Sequence, residues 1–344
     1  MIDAACHILD TVASQCGIDL RLEVFEGPGS SAGTGESKHL SREAARFCDE
    51  IFARDGAVLA GAAGGRFVYD MRKRFQLYYK LNPLRSYREL AGVGRLKATE
   101  TVDILLVREN LGGLYQGRSV EKLAGDEREI SHTFVQREDQ VRAVLKVGAN
   151  AARARRHSLI AVSKQSGLPE FYALWQRCAL DVGEAFGLEI TLRDIDYVAY
   201  ELLQQPTRFD VIVAPNCFGD ILSDLGGLFA GSRGLTFGGS YSADGASVYQ
   251  TNHGAAHDLA GSDRANPVGQ IFSAMMMLRE TFHLQEEAKL VEDAVRAVWR
   301  TGWRTADLRE PGCRTAGTQQ FADLVSEEIC AAVTRDGEAC SVAG

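Results

Sequence analysis

The chain has 344 residues, 45% of them hydrophobic and 24% charged, with a net charge of −8. That length holds two domains or one large α/β unit, while the acidic balance without blocks of like charge argues against a nucleic-acid surface and no apolar run is long enough to span a membrane. Eight cysteines lacking a CxxC or histidines at metal spacing argue against zinc and disulfides and for reduced thiols in a cytoplasm, and no secretory signal opens the chain.

Ile2, Ala5, Ile8, Leu9 and Val12 recur at helical spacing, so the chain begins in an amphipathic helix. Residues 20–25 predict a strand. GPGSSAGTG (27–35) contains no GxGxxG opening a helix and is expected to be a flexible loop. A helix over 41–54 and a short buried strand at 57–59 follow, the strand ending in a glycine-rich turn of the kind that lines a site. Residues 67–81 are predicted helical and are basic, with Arg72, Lys73, Arg74 and Lys80.

A buried strand over 102–107 delivers RENLGGLYQG (108–117), with Arg108 at its end and Tyr115 seven residues on. Ile130, His132 and Phe134, then Val141, Ala143 and Leu145, alternate as paired strands over 129–145 would. An Ala/Arg-rich helix leads to a strand over 159–162, with Lys164 just past its end. A helix over 171–186 and a strand over 189–192 come next, and Asp196 opens the helix after them. A lysine at a strand end or an aspartate at a helix start is by itself a solvated charge or a cap.

FDVIVAPNCFGDILSD (209–224) predicts a buried strand, a break at Pro215, and a helix carrying Asp220 and Asp224 four residues apart. Side chains at i and i+4 share a face, and the C-terminal ends of strands are where open α/β sheets bind ligands. Two acids there are either a helix-start charge and a solvated one, or the oxygen ligands of Mg²⁺ or Mn²⁺. The helix over 269–282 is nearly all apolar, its Met run a stripe for the core or for a dimer interface. A last helix closes the chain, and the tail after Ala332 is expected to fray.

RENLGGLYQG, NCFGDILSD, and HGAAHDLAG with ANP closely resemble the metal-dependent decarboxylating dehydrogenases of isocitrate and 3-isopropylmalate, and the likeness spans residues 2–332. It implies an α/β fold of two domains, a central mixed sheet flanked by helices. The larger, cofactor-side domain would comprise 1–80 and 231–344, and the smaller 81–230, with the dimer arm, metal and catalytic residues. It also implies a cytoplasmic homodimer with shared sites, a small-molecule substrate, and neither nucleic-acid nor membrane partners.

By the same resemblance Asp196, Asp220 and Asp224 hold Mg²⁺ or Mn²⁺, Lys164 is the base and Tyr115 the acid. Arg72 and Arg108 bind substrate carboxylates. Asn82 stands where a second arginine is usual, and an amide lacks the bidentate charged grip of a guanidinium. His253, Gly254 and Asn266 would bind adenosine, and the carboxylate of Asp258 favours NAD over a 2′-phosphate. Ser166 and Gln250 also depart from the usual pattern. Substrate choice would sit at residues 65–69, where Arg66 points to a charged group on carbon 3 and to a specialised pathway. The alternative to an enzyme is a non-catalytic subunit of a hetero-oligomeric dehydrogenase.

Relatives in that family open with a strand and turn upstream of the first helix, which here starts beside Met1. The expectation is a start codon further upstream, the rival a lineage without the strand. An in-frame stop codon just before the Met1 codon would eliminate the first.

Overall fold

The computed structural model describes residues 1–25, 39–62, 66–93 and 101–342, the side chains of 336–342 excepted; the glycine-rich loop at 27–35 and Gly65 lie outside them. The elements are α1 (Ile2–Cys16), α2 (Arg42–Phe52), β1 (Val58–Leu59), α3 (Phe67–Arg74), β2 (Tyr79–Arg85), β3 (Asp103–Glu109), β4 (Arg118–Ala124), β5 (Glu127–Thr133), α4 (Glu138–Arg153), β6 (Leu159–Ser163), α5 (Pro169–Phe186), β7 (Ile190–Asp194), α6 (Ile195–Gln204), β8 (Val211–Ala214), α7 (Asn216–Ala230), β9 (Phe237–Tyr241), β10 (Ser247–Thr251), α8 (Val268–Glu280), α9 (Gln285–Arg300), β11 (Trp303–Arg304), β12 (Arg314–Thr315) and α10 (Thr318–Val342).

One eight-stranded mixed sheet, in the order β1-β10-β9-β2-β3-β8-β6-β7, organises the chain. From β3 to β7 its strands are parallel, while β2 runs antiparallel to β3 and β9 antiparallel to β2. The parallel strands are apolar throughout their centres, as strands covered on both faces must be. The Val107, Val211 and Val213 cluster packs with α4 and α5, while Ile212, Ala214 and Leu106 pack with α6 and α7. The chain ends build a third cluster, α1 and α8–α10 around Phe272, Trp299 and Phe321. The Met run of α8 is buried wholly within it, which makes it core. A buried carboxylate–guanidinium pair, Asp210 Oδ1 to Arg155 Nε at 2.8 Å, ties the start of β8 to the end of α4.

Four expectations need correction. The helix predicted over 67–81 ends at Arg74, because Gln76 takes φ 48° and turns the chain back; Asn82 therefore lies on strand β2. Residues 138–153 form a helix, not a strand. Glu138 and Asp139 favour its N-terminus, and Val141, Val144, Leu145, Gly148, Ala149 and Ala152 form its buried stripe, a period of 3.6 that the alternation at 141, 143 and 145 obscured. The hairpin in that region is β4–β5, displaced upstream, exposed along both strands and outside the main sheet. Residues 20–25 join no strand; the two-residue edge strand β1 pairs only with β10 among the described residues. The chain after Ala332 continues as α10 to Val342.

Gly148 on α4 has no room for a side chain, since an added Cβ would collide with Val213 Cγ2 of β8. Gly148→Ala should therefore destabilise the protein, by about 1–3 kcal/mol as overpacked cores do, although alanine is the better helix former. A lowered thermal midpoint checks this.

Candidate active site

Most of the residues expected to form the site gather near α7, along β2 and β3 and beside α3. Arg108 ends β3 with its side chain buried, and Gly219 of α7 lets the helix lie on it: a Cβ there would stand 2.8 Å from Arg108 Cγ. The guanidinium pairs with Asp220 through Nη1 and donates from Nη2 to Asn216 Oδ1 at 2.8 Å. Asn216 in turn donates to the carbonyls of Asn110 and Gly112 at 3.0 and 3.1 Å, fixing the turn after β3 to the start of α7. That turn is held from within by Glu109, whose buried Oε1 accepts the N–H groups of Leu111 and Gly112 at 2.6 Å each.

Arg72 on α3 is 4% exposed, and its Nε and Nη1 have no hydrogen-bond partner among the described residues. Burial first, then the neighbouring Arg108, lowers its affinity for a proton, the expected result of desolvating a cation without a counter-ion. Its guanidinium carbon lies 5.4 Å from the centre of the Tyr69 ring, which also carries Arg66 at 4.9 Å and meets the Tyr115 ring edge-on at 5.7 Å. Arg66 is exposed and donates to the Tyr115 carbonyl at 3.4 Å. Tyr115 holds its proton more tightly than an ordinary phenol, chiefly through burial and then through Cys217 and the charge of Asp220.

Asn82 is also here, fully buried, with both amide atoms unpartnered among the described residues. Lys80, two residues earlier on the same strand face, is buried as well; it donates to Asn252 Oδ1 at 2.6 Å. Burial, with Arg72 and Arg108 beside it, pulls the Lys80 ammonium well below its usual range. Sequence reading noted Lys80 only as one of several basic residues in a predicted helix. Its alternation with Asn82 and Leu84 was a usable signal, once the segment is recognised as a strand. The β9–β10 hairpin, reached through the turn at Gly245 (φ 92°), was likewise missed.

Asp220 and Asp224 share a face of α7, and Asp224 pairs with Arg233 at 2.9 Å. Asp196 is elsewhere, in the first turn of α6, 2.6 Å from Lys164 Nζ. Among the described residues no three acidic, histidine or cysteine side chains converge as a metal site would require. The single chain thus brings together Arg66, Arg72, Asn82, Arg108, Tyr115, Asp220 and Asp224, but not Lys164 and Asp196.

In the loop after β10, His253 Nδ1 lies 3.0 Å from the Gly254 carbonyl, and its buried Nε2 has no partner. Burial keeps this imidazole in its neutral form more than usual. Asn266 accepts from the Val268 N–H at 3.0 Å at the head of α8 and donates to Asp307 at 3.1 Å. Asp258 stands exposed on a single 3₁₀ turn, and Gly254 has open space where a side chain would be.

A family model described as isocitrate/isopropylmalate dehydrogenase matches residues 1–325. The chain belongs to this family. It is an oxidoreductase of the decarboxylating dehydrogenase type. A 3-isopropylmalate dehydrogenase of Halalkalibacterium halodurans is 36% identical over 349 residues, covering 96% of this chain and 94% of that protein. One of Pseudomonas putida is 37% identical over 287 residues, covering 78% and 79%. The crystal structure of isocitrate dehydrogenase from Methylococcus capsulatus superposes with a TM-score of 0.78 at 25% identity, over 96% of this chain and 95% of that one. No helix among the described residues is long and apolar enough to cross a membrane.

Asp196 raises the proton affinity of Lys164 above that of a free lysine, with Asp194 adding to the effect, and Lys164 lowers that of Asp196. The pair is intact between the depressed Asp196 value and the raised Lys164 value; it is lost as pH climbs through the latter or falls through the former. Asp196→Asn should move the Lys164 titration to lower pH, read from the pH dependence of amine labelling at that residue; an unmoved titration would refute the assignment.

Proposed function

We propose that the chain carries out NAD-dependent oxidative decarboxylation of a 3-substituted malate, a 2-hydroxy acid of the isocitrate and isopropylmalate kind, with Mg²⁺ or Mn²⁺. The observation that carries this reading is the buried Arg72, whose Nε and Nη1 have no hydrogen-bond partner among the described residues, beside Arg108, which in turn lies over Tyr115. A guanidinium sealed from water is costly without an anion, and a substrate carboxylate answers it in matching bidentate geometry. A subunit that only binds a partner has no use for such a charge.

The donor chemistry of Asp220 and Asp224 fits a hard divalent cation. Bound there, it would lower the pKa of a coordinated hydroxyl and polarise the carbonyl formed from it. Arg72 and Arg108 would orient the substrate by its carboxylates. Tyr115, which keeps its proton at neutral pH, would return a proton to carbon 3 after CO₂ leaves. Lys164 would take the hydroxyl proton, which requires release from its contact with Asp196.

That requirement, with the separation of Lys164 and Asp196 from Asp220 and Asp224, favours a homodimer in which a second copy contributes both residues as base and third carboxylate. Exposed Tyr197 and Tyr200 on α6 and Ile221 and Leu228 on α7 offer an apolar surface for it, and the hairpin β4–β5 exposes Val120, Leu123 and Ile130. The division into 1–80 with 231–344 and 81–230 finds support in the separate apolar clusters of the chain ends and the middle. NAD would be the hydride acceptor. The orphaned His253 Nε2, the open space at Gly254 and the exposed Asp258 fit an adenosine moiety with free ribose hydroxyls.

NADH should form with Mn²⁺ on one of a panel of malates bearing an apolar group, a carboxylate, a phosphonate or hydrogen on carbon 3. Silence on all of them from folded protein would sink the reading. NAD should outperform NADP, and Asp258→Ala should narrow that preference. Arg66→Ala should cost activity on a charged carbon-3 group and spare an apolar one; equal loss on both would remove Arg66 from the specificity pocket.

A further inference from the structure

We propose that Lys80 is a substrate-binding residue whose buried ammonium supplies the second cation that Asn82 lacks, making the pocket a receptor for a dianion. This deepens the dehydrogenase reading and rests on it. Lys80 sits directly opposite Arg108 in the antiparallel β2–β3 register. Like charges in that cross-strand position repel, and both side chains are sealed from water. Arg108 has Asp220 as counter-ion. Lys80 and Arg72 have no carboxylate within 4.0 Å among the described residues. Among the described residues, these three buried basic side chains therefore share a single carboxylate in direct contact, and a bound dianion would favour the charged forms of the other two.

The direction of the Lys80 chain brings it to the place of the missing arginine. Its Cε and the Asn82 Oδ1 both border the empty side of Gly238, at 2.8 and 2.9 Å from where a Cβ would stand. The ammonium thus leans along β2 toward residue 82, on the face covered by α7. Its one hydrogen bond among the described residues is to a neutral amide, Asn252, which leaves donors of the ammonium for a ligand. The unpartnered amide of Asn82 adds a hydrogen-bond donor beside it. A lysine here accepts a carboxylate from a wider range of directions than a planar guanidinium does, so the exchange loosens orientation while keeping charge.

Calorimetric titration of the whole chain with malate in Mg²⁺ tests this. Malate carries both carboxylates whatever group carbon 3 needs for turnover, so failure of the dehydrogenase reading would appear as no NADH from any member of the carbon-3 panel with malate binding intact. Lys80→Met should weaken malate binding by about thirtyfold, the range of a lost charge-assisted hydrogen bond, and leave ADP binding unchanged. Lys80→Arg should keep most of the affinity. Lys80→Asn combined with Asn82→Arg, which returns the cation to position 82, should bind malate more tightly than Lys80→Met. Asn252→Ala, which removes the amide partner and keeps the charge, should leave malate affinity nearly unchanged. No malate binding by the unaltered chain, an unaffected Lys80→Met variant, a loss confined to ADP, or equal losses in Lys80→Met and Asn252→Ala would each overturn the proposal. Should Lys80→Met fold poorly, Lys80→Arg and the exchanged pair decide by the same readouts.

Discussion

Burying Arg72, Lys80 and Arg108 beside one another is the constraint on which the rest of this structure depends. A cation taken out of water must be paired or hydrogen-bonded, and among the described residues Arg108 alone of the three has a carboxylate in contact. Several local features follow from that need. Asn216 opens α7 and spends its amide on Arg108 and on two carbonyls of the turn after β3. Gly219 keeps the helix close enough for Asp220 to reach the guanidinium. Gly238 clears the floor beside Lys80 and Asn82. Unsatisfied charge of this kind would not stabilise an empty fold, and it suits a site whose counter-ion is the ligand.

The mixed sheet explains how side chains so distant in sequence meet. The parallel strands β3, β8, β6 and β7 deliver Arg108, α7, Lys164 and α6 from the same edge, which is where such sheets place ligands. Strand β2 runs the other way, so its first residues, not its last, stand level with the end of β3. That reversal is what brings Lys80 and Asn82 under α7. Lys164 and Asp196 lie further along the same edge, engaged with each other. Under the proposed reaction, a set of residues split in this way suits sites formed between two copies.

Recognition of the family and of the helix carrying Asp220 and Asp224 needed no coordinates, because motifs such as NCFGDILSD and RENLGGLYQG are contiguous and their order of apolar, small and charged residues predicts strand, turn and helix locally. The errors came where local pattern was ambiguous. Val141, Ala143 and Leu145 satisfy alternation as well as a helical stripe, and only the covering sheet at Val213 selects the helix. Helix propensity ran on past Arg74 until the left-handed Gln76 broke it, a reversal that residue type alone does not announce.

By itself, then, the sequence determined the family, and it named the carboxylates, Arg72, Arg108 and Tyr115 as candidates for the site and Asn82 as a departure, since each of these is a property of residue identity and short-range order. Tertiary structure decided which charges are buried, which have counter-ions, and that Lys80 shares a strand face with Asn82 opposite Arg108. Those facts depend on strand register and on the close approach of residues 80, 108, 220 and 238, far apart along the chain. Desolvation acts on distances in space, and no periodicity in the sequence encodes it.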